Sequence, residues 1–250
     1  MIIMNNDNVI VQIENLSFGY TEKKIIKDLS LRIRKNEIVG LLGVNGSGKT
    51  TLLNLIVGLF GVNEKVRMFN KTVNLNDDNF KKRFAYITDE DTVLSYLTAK
   101  EYLNFIVDIY KLNKSDSESK IKELIKYFKL ENDYDNKLIK DFSKGMKKKI
   151  QIIGSLIYNP EFLIIDEVTN GLDIEMIYLL REILKRMMYQ GTTILIASHD
   201  LNFISELCNR VLIFSEGTIK ADLDMKEEKR QSIEIEFMRI IQSGVEYDSK

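Results

Sequence analysis

Cysteine is nearly absent from this 250-residue chain. Cys208 stands alone, so no disulfide can form within it, and a reducing compartment is the simplest expectation. Net charge is nearly absent too: 36 Lys and Arg face 37 Asp and Glu, leaving −1. That balance removes any global electrostatic case for nucleic acid or anionic lipid, so no nucleic-acid partner is expected. No segment approaches the about 18 apolar residues that a bilayer span needs. FLIIDEV and TTILIAS are far too short to span and read as buried strands. The opening MIIMNNDNVIVQIE has no basic stretch followed by an apolar one, so no secretory leader is expected. Histidine is as scarce as cysteine, with His199 its one representative, and no internal repeat is visible. What remains is ordinary globular material, 44% apolar and 29% charged, enough for one large domain or a domain plus a small one.

The informative part begins at residue 37, EIVGLLGVNGSGKTTLLNLIVGLF. Ile38 to Leu42 suits a strand buried on both faces, and Thr51 to Leu59 has apolar residues at helical spacing. Between them Gly43 to Thr50, GVNGSGKT, fits G-x-x-x-x-G-K-[ST] in the strand–loop–helix setting that pattern requires. Gly43, Gly46 and Gly48 are expected to take positive φ, letting backbone N–H groups close around a phosphate at a helix N-terminus. Asn45, Ser47 and Thr51 complete the loop. Lys49 would reach the β- and γ-phosphates, and the Thr50 hydroxyl would ligate Mg²⁺.

Two further strand ends carry chemistry. PEFLIIDEVTNGLD runs an apolar strand into adjacent acids: Asp166 to hold Mg²⁺, directly or through water, and Glu167 as general base toward the attacking water. Adjacent acids at a buried strand end are unfavourable unless a cation or a water-filled cleft stabilises them. TTILIASHD ends another strand in Ser198 and His199. Ligands of open parallel sheets bind at the carboxyl ends of strands, so Lys49, Asp166, Glu167 and His199 are expected to converge.

With these residues in place, the chain resembles the nucleotide-binding subunit of an ATP-binding cassette (ABC) transporter over almost its whole length. GVNGSGKT resembles the Walker A loop and FLIIDE the Walker B strand. Asn170 to Asp173, NGLD, resembles the D-loop, and His199 the switch histidine. Tyr20 resembles the aromatic that stacks on adenine. FSKGM, Phe142 to Met146, resembles the family signature, usually written LSGGQ. The resemblance implies an α/β fold: a P-loop NTPase (RecA-like) core with an antiparallel β subdomain and a helical insert. It also implies ATP and Mg²⁺ as cofactors and a separate transmembrane permease subunit as partner, which places the chain on the cytoplasmic face of the membrane. A second cassette, of the same or another kind, would pair head to tail. Ser143, Lys144, Gly145 and Met146, with Asp173, would then face the partner's nucleotide.

The departures from the family pattern are local. Lys144 and Met146 stand where Gly and Gln are common, a form familiar among bacterial exporter-type cassettes that handle peptides, antibiotics or lipid-like compounds. Val168 replaces the usual Pro. In FAYITDED the position of the family's Mg²⁺-ligating Gln falls at Asp89, with Glu90 and Asp91 beside it. Asp89 either ligates the metal or belongs to a shifted loop whose acids do not reach it. Lys147, Lys148 and Lys149 read as a solvated cluster.

Residues 1–36 are expected to form the antiparallel β part, 37–88 and 152–225 the core, 89–151 the helical insert, and 226–250 a C-terminal helix. Thr98 and Glu101 form a capping box for the first insert helix; 113–120 reads as a polar connector and IKELIKYFKL after it as a second amphipathic helix. The last helix would be capped by Ser232 and stopped by Gly244. A membrane subunit would dock on the insert and the loop at 88–97, with Tyr96, Leu97 and Tyr102 as candidate contacts and helix-core packing as the favoured role for Leu97. A non-transport cassette (ribosome-acting, cluster-assembly or repair type) and a silent regulatory module are the alternatives. The first usually carries a second cassette, a coiled-coil insert or a basic tail; the second is disfavoured by Lys49, Glu167 and His199.

Overall fold

The structure, a computed structural model, describes residues 8–61, 63–90, 92–225 and 230–245. Asp91 and residues 226–229 and 246–250 of the expected tail therefore lie outside the described residues, as does the start of the chain before residue 8.

Its strands sort into two sheets. The first has the order β2-β1-β4-β5, built from β1 (Val9–Phe18), β2 (Ile26–Arg34), β4 (Val66–Met68) and β5 (Lys71–Thr72), paired antiparallel throughout. The alternating LSLRIR of β2 puts Leu29, Leu31 and Ile33 inside and the charged residues out. Residues 66–72, from within the stretch assigned to the core, thus extend the antiparallel sheet.

The second sheet has the order β10-β9-β3-β8-β7-β6. It contains β3 (Ile38–Leu42), β6 (Phe84–Ile87), β7 (Phe162–Asp166), β8 (Thr193–Ser198), β9 (Arg210–Ser215) and β10 (Thr218–Asp224). All pairs are parallel except β9 with β10. Every residue of β3, β7 and β8 is buried, as strands covered on both faces require. The register aligns the strand ends. Leu42 pairs with Ser198, Asp166 with Ala197, and Ile87 with Ile165, so the carboxyl ends of β3, β8, β7 and β6 finish at one level.

The helices are α1 (Lys49–Ile56), α2 (Asp78–Lys81), α3 (Ala99–Ile109), α4 (Lys114–Tyr127), α5 (Lys144–Leu156), α6 (Ile174–Tyr189), α7 (Leu201–Leu207) and α8 (Arg230–Val245). α3 begins at the expected capping box, with the Thr98 side chain and Glu101 bonded to each other's backbone N–H. α5 begins where the Ser143 side chain accepts from Met146 N.

Three local expectations are corrected. The segment 113–120 is no connector. Asn113 caps α4 by accepting from Asp116 N, and Ser117, Ile121, Leu124 and Ile125 make one buried face while the polar residues point to solvent. Ser232 does not cap the last helix, which is already under way at Arg230, and Gly244 does not stop it, since α8 runs to Val245. Lys147, Lys148 and Lys149 are not a uniform solvated cluster. Lys148 is fully buried, and Lys149 Nζ donates to Phe128 O.

Candidate functional site

The level strand ends create a cleft of about 450 Å³. Asn45, Gly46, Gly48, Lys49, Thr50 and Thr51 line it after β3, Asp166, Glu167 and Asn170 after β7, His199 after β8, and Asp89 after β6. Ile25 closes one side. The structure therefore brings together nearly all the residues expected to bind phosphate, metal and water.

The loop geometry follows from its glycines, with one difference. Gly48 caps α1 at φ 102°, where a Cβ would also lie 3.0 Å from Ile25. Gly43 has no positive φ; it is glycine for space, because a Cβ there would lie 2.4 Å from the carbonyl oxygen of Phe214. Lys49 is almost fully buried. Its Nζ donates to Gly43 O at 2.8 Å and Val44 O at 3.2 Å, and pairs with Glu167 Oε1 at 3.1 Å.

Glu167 sits at φ 47°, a left-handed conformation that is uncommon for a side chain of this size and turns it away from the line of β7. Its N–H donates to Ala197 O, fixing it beside β8. His199 Nδ1 lies 2.8 Å from Glu167 Oε2, with Ser198 Oγ at 3.5 Å. Against an ionised carboxylate only the Nδ1–H tautomer makes that bond, which leaves Nε2 for a ligand.

Asp166 is buried, and burial raises its pKa; the Glu167 and Asp89 charges add to the rise, while the Thr50 hydroxyl and Lys49 oppose it. Its Oδ1 is buried without a hydrogen-bond partner, as is Ser47 Oγ. The orphaned Asp166 oxygen and the Thr50 hydroxyl beside it are hard donors of the kind Mg²⁺ takes along with nucleotide phosphates, so Asp166 and Thr50 fit that ion. The charge can be tested through stability. A group whose folded pKa is raised stabilises the fold below its usual value of 3.8 and loses that contribution as pH climbs through the raised value. At neutral pH Asp166 is a cost. Asp166→Asn should raise the nucleotide-free melting temperature, and should remove any further rise that Mg²⁺-ATP gives over ATP with chelator. Melting curves in both conditions check it; an unchanged or lower nucleotide-free value counts against it.

Tyr20 stands at the edge of the cleft, 61% exposed. Its hydroxyl is 3.4 Å from Thr51 Oγ1, and its ring packs edge-on to Phe18 and Phe60, themselves stacked. Phe60 carries no signal in the sequence because it lies beyond the end of α1.

Ser143, Lys144, Gly145, Met146 and Asp173 do not line this cleft. The Ser143 turn lies instead against Gly171: a Cβ on Gly145 would be 3.8 Å from Gly171 O, and one on Gly171 3.1 Å from the Lys144 chain. Asp173 caps α6 by accepting from Met176 N at 2.7 Å. Asn170, a residue of that same turn, does reach the cleft and donates to Asp89 Oδ1 at 3.3 Å.

The chain is similar to known proteins in both sequence and fold. A family model described as "ABC transporter" matches residues 26–170. The chain is 34% identical over 198 residues to the ABC transporter ATP-binding protein NatA of Bacillus subtilis, a match spanning 78% of this chain and 80% of NatA. It is 31% identical to the SkfA peptide export ATP-binding protein SkfE of the same organism, over 89% of this chain and 92% of SkfE. Among solved structures, an ATP-binding subunit of an ABC transporter superposes with a TM-score of 0.82 at 26% identity, covering 92% of this chain and 99% of that one.

Proposed function

The chain belongs to the ABC transporter family as an ATP-binding subunit and ATPase, and we propose that it drives a separate permease subunit by closing head to tail with a second cassette around ATP. The loop amides and the N-terminus of α1 hold the phosphates. Lys49 exchanges its bonds to Gly43 O, Val44 O and Glu167 for phosphate oxygens. Tyr20, braced by Phe18 and Phe60, offers its ring to the adenine. Glu167 polarises the attacking water, and His199, held through Nδ1, turns Nε2 to the γ-phosphate. Thr50, Asp166 and Asp89 would hold Mg²⁺, which supplies charge neutralisation on the β- and γ-phosphates.

One observation carries the head-to-tail closure. Phosphate, metal and base groups share a cleft, whereas Ser143 and Gly145, at the N-terminus of α5, lie outside it against Gly171. Anion-binding groups placed away from their own chain's phosphate loop are explained if they complete another subunit's site. The permease would dock in the groove of about 570 Å³ that Tyr86, Tyr96, Tyr102, Phe105 and Tyr158 line, where Tyr96 is 68% exposed. Docked in this way the chain would work at the cytoplasmic face of the membrane; among the described residues no helix is long and apolar enough to cross it. Export is the direction favoured, by the Lys144 and Met146 form of the Ser143 turn and by the similarity to SkfE.

The test uses Glu167→Gln protein with Mg²⁺-ATP, and its mass in solution is measured. Binding survives, hydrolysis stalls, and a dimer accumulates that Ser143→Arg abolishes. ATP binding with no rise in mass would overturn self-pairing and assign the second half-site to a different cassette.

A further inference from the structure

Taking a lysine side chain wholly out of water is unfavourable unless polar atoms surround its ammonium group. Lys148 is at 0% exposure. Its Nζ donates to Thr88 O and Asp89 O at 2.9 Å each, and to Gln151 Oε1 at 3.0 Å. Gln151, one turn along α5 and also buried, turns Nε2 to the same segment: Thr88 O and Oγ1 at 3.3 Å, Glu90 O at 3.2 Å and Thr92 Oγ1 at 3.0 Å. The two side chains thus hold the link from β6 to the helical insert at Thr88, Asp89, Glu90 and Thr92. That link carries Asp89, a cleft carboxylate standing past the end of β6 at Ile87. In the cleft its carboxylate accepts from Asn170 Nδ2 at 3.3 Å, a single long side-chain bond between exposed groups.

The geometry points to Lys148 and Gln151 as positioning residues that fix the Asp89 carboxylate toward Mg²⁺-nucleotide in this chain's own cleft. They act on its backbone rather than on the ligand. Anchoring the carbonyls on either side of the Asp89 Cα sets the direction in which its side chain leaves the loop, as hydrogen-bonded outer groups orient metal ligands elsewhere. Ser143, the N-cap of α5, lies about 7.5 Å from Lys148 along the same helix axis, at 1.5 Å per residue. This inference rests on the proposed role of Asp89 in metal binding, and not on pairing of two cassettes.

ADP is the probe, because it is not hydrolysed and lacks the γ-phosphate that would reach a second chain. Its Kd is measured by calorimetry with Mg²⁺ and with chelator, on the native chain and on Asp89→Ala, Lys148→Met, Gln151→Leu and Asp89→Ala/Lys148→Met. Asp89→Ala should reduce the Mg²⁺-dependent gain in affinity about tenfold, and Lys148→Met and Gln151→Leu should each reduce it comparably, in the range that outer-group losses bring to metal sites. The double variant should lose no more than Asp89→Ala, and chelator-bound affinities should stay level throughout. A merely structural role would lower both affinities together or add to the Asp89 loss, and either result overturns the inference. If Asp89→Ala loses the gain but Lys148→Met and Gln151→Leu keep it, Asp89 acts without them and the inference is overturned. If Asp89→Ala keeps the gain, its role as metal ligand falls and the inference falls with it. Should Lys148→Met not fold, Gln151→Leu carries the same comparison, since it leaves the ammonium in place.

Discussion

Glu167→Gln lowers ATP turnover about a hundredfold to ten-thousandfold, the range that general-base catalysis supplies, while ATP affinity stays within a few-fold. The expectation comes from how the side chain is held. The left-handed backbone at Glu167, its N–H bond to Ala197 O and the His199 contact fix one carboxylate oxygen at 2.8 Å from an imidazole nitrogen. Glutamine fills the same volume but has no basic oxygen for the water's proton. His199→Ala should cost less, about tenfold to a hundredfold, because in the role proposed for it the imidazole orients the carboxylate and γ-phosphate rather than taking the proton. Phosphate release under saturating ATP, with calorimetric binding beside it, separates the two effects. Full turnover in Glu167→Gln would move the base elsewhere, with Asp89 the next carboxylate in the cleft.

The convergence behind that prediction was only partly legible in the sequence. GVNGSGKT, FLIIDE and TTILIASHD each announce a strand that ends in functional groups, because an apolar run stopping at polar residues is a local signal. That these strands lie side by side, with Leu42 level with Ser198, is a long-range fact that no local pattern carries. Lys148 shows the same limit more sharply. In KGMKKKIQ three consecutive lysines look alike, and helical spacing puts Lys148 beside Gln151. Their burial depends on a distant upstream loop crossing that face of α5, as the bonds from Lys148 Nζ to Thr88 and Asp89 record. Polar residues in 113–120 hid the first turns of α4 for a related reason. Its buried face is only Ser117, Ile121, Leu124 and Ile125, and most of that face falls after the stretch ends. Gly43 shows that the right residue can be assigned for the wrong cause: the motif needs glycine there, but for Phe214 O and not for φ.

Lys49→Ala should destabilise the nucleotide-free protein by about 3 kcal/mol, the cost of stranding one member of a buried ion pair, or roughly 6–12 °C in melting temperature for a chain of this size. Lys49 and Glu167 are both buried, and Lys49 Nζ is the ammonium that meets Glu167 Oε1, at 3.1 Å. Without it the carboxylate keeps only His199 and the weak Ser198 contact. Adding Glu167→Gln to Lys49→Ala removes the stranded charge, so the double variant should recover most of the loss. Glu167→Gln alone should be nearly neutral, because Lys49 retains Gly43 O and Val44 O. Together the variants form a cycle whose interaction energy reports the pair directly. The same cycle read through ATP binding should show no recovery. In the role proposed for Lys49 phosphate binding needs the ammonium itself, so Lys49→Ala should weaken ATP about a hundredfold or more, as losing a charge-assisted contact in a desolvated site does. Stability restored by the second substitution with affinity still lost is the signature expected. Recovery of both would mean that Lys49 serves the fold and not the phosphate.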